Sequence, residues 1–123
     1  EFSKTLVVYD SSTANEGNLK KIPKSVLIEK VSSDDPKLLS KILAEKGCNK
    51  VLWECGPKLA TAALKAGCIQ EFITFIAPKI LGGENGMNPF SDFEFKSMNE
   101  VINLNLQEIK TISNDFYLRS LLN

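Results

Sequence analysis

The 123-residue sequence contains no histidine. This absence excludes a Ser–His or Cys–His nucleophile pair, an imidazole general base and any zinc site that uses histidine. The three cysteines, Cys48, Cys55 and Cys68, are odd in number and show no C-x-x-C spacing, which disfavours a disulfide framework or a cysteine-only metal site. We therefore expect no metal, and the free thiols favour a reducing cytoplasm.

An excess of charge is also missing. Fifteen Lys and Arg residues balance fifteen Asp and Glu residues, so the formal net charge is zero, which argues against a nucleic-acid partner. No apolar run approaches the roughly 20 residues that cross a bilayer, so we expect no membrane segment. With 43% hydrophobic and 24% charged residues, the composition is that of a folded domain. The chain opens with Glu1 instead of Met, almost inside a strand, and we expect a piece of a longer protein.

Strand-like and helix-like segments alternate along the chain. Apolar, β-branched runs predict strands, and helices are predicted where Asp34-Asp35-Pro36 and Gly56-Pro57 precede apolar stripes that end at Gly47 and Gly67. The predicted strands are 5–9, 25–31, 50–54 and 71–77, followed by a flexible loop over 82–89 and alternating runs at 100–112 and 115–121 joined by a turn at Ser113-Asn114. This order predicts parallel strands with right-handed crossovers, closed by an antiparallel pair.

The segment from Glu54 to Ala63 offers the clearest chemistry. A strand is predicted to end at Glu54 and a helix to begin at Pro57, and ligands of open α/β sheets gather where strands end. A helix N-terminus presents unpaired N–H groups, here expected from Lys58, Leu59 and Ala60, and such groups hold phosphates. On spacing alone, a plain strand-to-helix turn is the favoured interpretation. Glu54 is equally well explained as a solvated residue or as a ligand contact.

Three linked stretches carry a family resemblance. They are Val-Leu-Trp-Glu-Cys-Gly-Pro-Lys-Leu-Ala at 51–60, Ala-Leu-Lys-Ala-Gly at 63–67 and Ile-Ala-Pro-Lys-Ile-Leu-Gly-Gly at 76–83. In order and spacing they resemble the reductase domain of the bifunctional riboflavin-biosynthesis deaminase/reductase RibD. The resemblance implies a dihydrofolate-reductase-like α/β fold with a mixed, mostly parallel sheet flanked by helices and a C-terminal antiparallel hairpin. It also implies NADPH-dependent reduction of the ribosyl group of 5-amino-6-(5-phosphoribosylamino)uracil to the ribityl product.

The resemblance assigns binding roles but leaves the catalytic residues unknown. Glu54 falls where the family contacts substrate, and Asp10 and Ser11 fall where this fold meets the adenosine end of NADPH. The 2′-phosphate suits the serine hydroxyl but is repelled by Asp10. The segment expected to wrap the NADPH pyrophosphate comprises Gly56, Pro57, Lys58, Leu59, Ala60, Thr61 and Ala62. The chain departs from the family at Lys58, which replaces a small hydroxyl residue, and at Cys55, which replaces Gly or Ala.

The chain is shorter than the family's reductase domain, which has roughly 200 residues. The resemblance implies that the N-terminal part of that domain and the whole zinc deaminase domain are absent, so residues 1–123 form an incomplete domain that need not be active alone. The implied partners are the phosphoribosylaminopyrimidine substrate, a second copy of the chain and the missing part of the enzyme.

Two alternatives remain open. One is another dihydrofolate-reductase-like NADPH reductase, such as a pteridine reductase. The other is a non-catalytic dimerisation module that pairs through the late strands, 101–121. The phenylalanines Phe90, Phe93 and Phe95 are interpreted as a packed lid or core edge.

Overall fold

A computed structural model describes residues 4–80, 82, 88–91 and 93–122, which form two compact units, Glu1–Val51 and Leu52–Asn123. The first unit contains β1 (Leu6–Asp10), α1 (Glu16–Leu19), β2 (Leu27–Val31) and α2 (Pro36–Glu45). The second contains α3 (Pro57–Lys65), β3 (Glu71–Ile76), a short 3₁₀ turn (Met98–Glu100), β4 (Leu104–Ile112) and β5 (Asp115–Leu122).

In the first unit, β1 and β2 form a parallel pair in which Leu6 lies opposite Leu27. The predicted loop after β1 contains the short helix α1, because the Asn15 side chain accepts a hydrogen bond from the Gly17 N–H at 2.8 Å and so caps its first turn. The helix α2 begins at the predicted position. It ends before Gly47, whose φ of 88° is the left-handed conformation that commonly terminates helices.

The predicted third strand, 50–54, is not a strand. Among the described residues no segment pairs with it, and Leu52 is 78% exposed. The β-branched and aromatic residues of this run suit a pleated, half-buried surface, but a strand also needs a neighbour for its backbone N–H and C=O groups. The prediction was therefore wrong for the chain as it stands.

In the second unit, α3 is followed by an antiparallel sheet in the order β3-β5-β4. Ile73 lies opposite Arg119 across the β3–β5 pair, and Ile109 lies opposite Leu118 across the β4–β5 pair. Between Leu106 and Glu108 the register shifts by one residue, which is a β-bulge.

The predicted turn at Ser113-Asn114 is confirmed. It joins β4 to β5 as a two-residue loop, and Ser113 takes a φ of 55°. Tight hairpin loops require such positive φ values because their backbone twist then matches the twist of the strands.

The mixed α/β fold class is confirmed. The expected excess of parallel strands is not seen among the described strands, which make one parallel pairing and two antiparallel pairings in two sheets. Of the predicted loop 82–89, residues 83–87 lie outside the described residues. Burial is shallow: within the described part of the chain, the buried apolar residues are Pro36 and Ala63, and no large side chain is fully enclosed.

Candidate functional site

The N-terminus of α3 is open. Gly56 precedes the helix with φ −72° and ψ 169°, Pro57 occupies the first turn, and no side chain of the described residues caps it. A methyl group built on Gly56 would meet nothing within 4 Å. Because a helix N-terminus carries a partial positive charge, this position can receive an anion.

Of the three backbone donors that were predicted at this terminus, two remain available. The Ala60 N–H donates to the Gly56 carbonyl at 3.1 Å, so it is used within the helix. Pro57 has no N–H. The backbone N–H groups of Lys58 and Leu59 are left to face a ligand or solvent. The correction follows from helix geometry, because the fourth residue after the cap completes the first i to i−4 bond.

The residues just before the helix are exposed. Glu54 lies two positions before Gly56, and both Glu54 and Cys55 are exposed to solvent. The Glu54 carboxylate therefore stands near the α3 terminus in sequence and can accept hydrogen bonds from hydroxyl donors.

Thr61 is directed inward. The residue is 3% exposed, and its Oγ1 accepts a hydrogen bond from the Ser91 N–H at 2.8 Å. This bond ties α3 to a segment 30 residues away. The hydroxyl of Thr61 is thus engaged within the protein, whereas the sequence analysis grouped it with the cofactor contacts.

The phenylalanines after the loop are packed, as interpreted from the sequence. The Phe90 ring lies 5.5 Å from that of Phe72 on β3 and 5.9 Å from that of Phe93, and the Phe93 and Phe95 rings stack at 5.3 Å. The Lys65 ammonium lies 5.2 Å above the Phe93 ring, which is a cation–π distance.

A shallow depression of about 380 Å³ is lined by Lys65, Phe93, Glu94 and Phe95. It lies beside the C-terminal end of α3, whereas the predicted site is at the other end. It is largely open to solvent.

Asp10 is the last residue of β1 in the first unit, and Ser11 follows it. The Asp10 Oδ1 accepts hydrogen bonds from both the N–H and the hydroxyl of Ser12, each at 2.8 Å. These bonds to the charged form lower the pKa of the Asp10 carboxyl. The Ser11 N–H donates to the Val31 carbonyl at 3.1 Å. The predicted adenosine site is therefore a hydrogen-bonded turn that carries a fixed negative charge.

The sequence analysis missed a charged cluster on the three-stranded sheet. Arg119 lies 3.0 Å from Glu71 and 3.6 Å from Glu108, and Lys110 lies 2.7 Å from Glu108. Hydrogen bonding to Lys110 is the largest influence that lowers the pKa of Glu108, and the carboxylates raise the pKa values of Lys110 and Arg119. Alternation of charged residues along the late strands is the sequence signal that could have revealed this cluster.

Neither a metal site nor a membrane span is found where the structure describes the chain. That part holds no group of three or more Cys, Asp or Glu residues placed to bind a metal ion. None of its helices has the length and apolar character needed to cross a membrane.

Comparison with known sequences gives consistent matches. The RibD C-terminal domain family matches residues 2–118. Riboflavin biosynthesis protein RibD of Synechocystis is 30% identical over 120 residues, which cover 94% of this chain and 32% of that protein. The chloroplastic riboflavin biosynthesis protein PYRR of Zea mays is 31% identical over 100 residues, covering 81% of this chain and 16% of that protein.

Solved structures share the fold. Acinetobacter baumannii RibD aligns with a TM-score of 0.75 at 21% identity, over 98% of this chain and 38% of that one. A pyrimidine reductase-like protein of Corynebacterium diphtheriae aligns with a TM-score of 0.75 at 20% identity, over 96% of this chain and 50% of that one. The fold is therefore that of RibD reductase domains, as the resemblance implied, and the chain spans about a third of the length of the RibD relative from Synechocystis. On the family match over nearly its whole length, this chain belongs to the RibD C-terminal domain family.

Proposed function

We propose that the chain is the C-terminal portion of a RibD-type reductase domain and serves riboflavin biosynthesis. The reaction is the NADPH-dependent reduction of the ribosyl group of 5-amino-6-(5-phosphoribosylamino)uracil to the ribityl product. The observation that carries the proposal is the family match over residues 2–118. The open N-terminus of α3 supports it independently, because it offers an anion site where the family resemblance implies the cofactor.

The α3 terminus suits a diphosphate in three respects. The N–H groups of Lys58 and Leu59 are available, Gly56 leaves room for close approach, and no side-chain cap competes. The ammonium of Lys58, an exposed residue, adds a positive charge in place of the hydroxyl usual in the family. When bound, NADPH supplies the hydride, and the protein's task is to hold and orient the cofactor.

The next three residues of α3, Ala60 to Ala62, are proposed to hold the first turn in position. Ala60 and Ala62 are small and half-buried, and Thr61 uses its hydroxyl to hold the Ser91 backbone. In this proposal the diphosphate contacts the first turn, Gly56 to Leu59. Residues 60–62 keep that turn in place.

Glu54 is proposed to bind the sugar hydroxyls of the substrate. It is exposed and lies two residues before the glycine of the cofactor site. A carboxylate accepts hydrogen bonds from hydroxyl groups and repels phosphate, so it suits the sugar better than the phosphate of the substrate.

Asp10 and Ser11 are proposed to meet the adenosine end of NADPH. The Asp10 carboxylate stays ionised, so it favours ribose hydroxyl donors and opposes the 2′-phosphate. The Ser11 side chain is exposed and can accept or donate a hydrogen bond.

The proposed partners are the substrate, a second copy of the chain and the rest of a RibD enzyme. A cytoplasmic location stays a prediction that rests on the three free thiols, two of which are exposed.

The test uses Glu54→Gln in the presence of the complementary RibD polypeptide, which we define as the residues of Synechocystis RibD outside its match to this chain. Turnover of the pyrimidine substrate is expected to fall at least about tenfold, the effect of losing one hydrogen bond to a charged group. NADPH affinity should stay within about twofold, because the diphosphate contact is untouched.

Intact Synechocystis RibD is the positive control, and dihydrofolate is the alternative substrate. Equal turnover by parent and variant would remove Glu54 from the substrate site. Turnover of dihydrofolate alone would favour a pteridine reductase, and the lack of saturable NADPH binding would favour a non-catalytic module.

A further inference from the structure

The helices α2 and α3 each carry a hydroxyl four residues after their first proline, and they use it differently. In α2, the Ser40 hydroxyl donates to the Pro36 carbonyl at 2.8 Å, which is a bond within the helix. In α3, Thr61 lies at the same spacing from Pro57, and its Oγ1 accepts a hydrogen bond from the Ser91 N–H at 2.8 Å. The hydroxyl of α3 therefore joins the helix to a distant part of the chain.

This hydrogen bond is shielded from water. Thr61 is 3% exposed, and Ser91 is half-buried. A buried N–H group that loses its acceptor is not readily satisfied by solvent, so such a bond is costly to break. The bond between Thr61 and Ser91 therefore fixes the distance between α3 and the backbone at residue 91.

Aromatic rings on both sides of Ser91 hold that backbone against the sheet. The Phe90 ring lies 5.5 Å from the ring of Phe72 on β3, and the Phe93 ring meets the Phe90 ring edge to face at 5.9 Å. Aromatic pairs attract each other at these distances. We call Phe90, Ser91 and Phe93 the aromatic segment, and through it the position of β3 sets the position of the Ser91 N–H.

The aromatic segment contacts α3 at a second point. Lys65 lies four residues after Thr61, hence on the same face of the helix, and its ammonium is 5.2 Å from the centre of the Phe93 ring. Two contacts one turn apart fix the direction of the helix axis as well as its distance from the segment.

We propose that the aromatic segment positions the first turn of α3 for the cofactor diphosphate, with Thr61 and Phe90 as positioning residues that touch neither cofactor nor substrate. The inference rests on the proposed function, because it takes the diphosphate site from it. A helix moves largely as a unit, so a shift at Thr61 also displaces the N–H groups of Lys58 and Leu59. Hydrogen bonds weaken steeply with poor distance and angle, so this displacement lowers cofactor affinity.

The first test changes the acceptor of the buried hydrogen bond. Fluorescence titration with NADPH is carried out in the presence of the complementary RibD polypeptide. Thr61→Val keeps the size of the side chain and removes the acceptor, and the dissociation constant for NADPH is expected to rise at least about fivefold. Thr61→Ser keeps the oxygen, and its dissociation constant should stay within about twofold of the parent value.

The second test uses two matched changes from phenylalanine to leucine. Phe90→Leu removes the ring that contacts Phe72 of β3, and the dissociation constant for NADPH is expected to rise at least about threefold. Phe95→Leu removes a ring that stacks on Phe93 at 5.3 Å but lies outside the aromatic segment, and the expected change is less than about twofold.

Two further measurements separate positioning from general stability. Asp35→Ala removes the hydrogen bond from the Lys37 N–H at 2.9 Å in α2 and should not change NADPH affinity. Because coupling between two sites is reciprocal, NADPH should slow amide exchange at Ser91 at least about threefold more than at Leu122. The Leu122 N–H is the control, since it donates to the Gln70 carbonyl of the same unit at 3.0 Å.

Unchanged affinity in Thr61→Val, an equal loss in Thr61→Ser, or equal slowing of exchange at Ser91 and Leu122 would overturn the proposal. If Thr61→Val does not fold, the leucine variants decide, and equal affinities of Phe90→Leu and Phe95→Leu would overturn it. A parent chain that binds no NADPH would contradict the proposed function and this inference together. A parent that binds NADPH no better than Thr61→Val would contradict this inference alone.

Discussion

The helices α2 and α3 begin alike and yet differ at the cap. Each has proline in its first turn, but α2 is preceded by Asp35 and α3 by Gly56. The Asp35 Oδ1 accepts a hydrogen bond from the Lys37 N–H at 2.9 Å, while no described side chain does this for α3. One terminus is closed by its own sequence and the other is left open.

Elsewhere in the first unit, side-chain oxygens also bind backbone N–H groups that would otherwise be unpaired. Asn15 caps α1 through the Gly17 N–H, and Asp10 binds the Ser12 N–H in the turn after β1. Asp10, Asn15 and Asp35 each accept a hydrogen bond from the backbone N–H two residues later, which is the local bonding that Asp and Asn prefer. At Gly56 no side chain makes such a bond, which leaves the N–H groups of Lys58 and Leu59 open, as the proposed diphosphate contact requires.

Gly56→Asp would break this difference and is expected to have the largest effect. The new carboxylate would accept hydrogen bonds from the open N–H groups and repel a diphosphate. A hydrogen bond to a charged group is worth about 1.5–3 kcal/mol, so the dissociation constant for NADPH should rise at least about tenfold. Fluorescence titration with the complementary RibD polypeptide present measures it.

Gly56→Ala is the matched control. The position is open to a methyl group, and its φ of −72° is allowed for any residue, so NADPH affinity should stay within about threefold. Unchanged affinity in Gly56→Asp would show that α3 does not hold the diphosphate.

Asp35→Ala removes the cap of α2 and is expected to have a smaller effect, on stability instead of on binding. Loss of the cap should reduce the free energy of unfolding by about 1 kcal/mol, read from urea denaturation. NADPH affinity should not change, because the proposed diphosphate contact is at the N-terminus of α3. A loss of affinity as large as that of Gly56→Asp would remove the distinction between the two helices.

Local signals were sufficient to predict α2, α3 and the hairpin, though not the short helix α1. Proline and its preceding residue mark where α2 and α3 begin, and Gly47 and Gly67 take the positive φ values that end them. These features depend on neighbours in sequence. They were predicted correctly because they need no distant partner.

One failed prediction, the strand at 50–54, depends on distant partners, whereas the short helix α1 was missed although its cap, Asn15, is local. The run 50–54 has strand-forming residues, but a strand exists only where another chain segment completes its hydrogen bonds. The inward direction of Thr61 likewise depends on Ser91, which is 30 residues away. Such pairings are set by the tertiary fold, so the sequence pattern alone could not reveal them.

Asp10 provides the smallest predicted effect and shows how a closed turn responds to pH. Its pKa is lowered from 3.8 in the folded chain because the carboxylate accepts hydrogen bonds from Ser12. The stabilisation is therefore present above 3.8 and is lost as the pH falls through the lower folded value. The NMR signal of the Ser12 amide should follow this titration, and Asp10→Asn should abolish it. A titration midpoint above 3.8 would mean that Ser12 does not hydrogen-bond to the charged carboxylate. The Asp10 carboxylate would then be unpaired, as the N–H groups at the α3 terminus are.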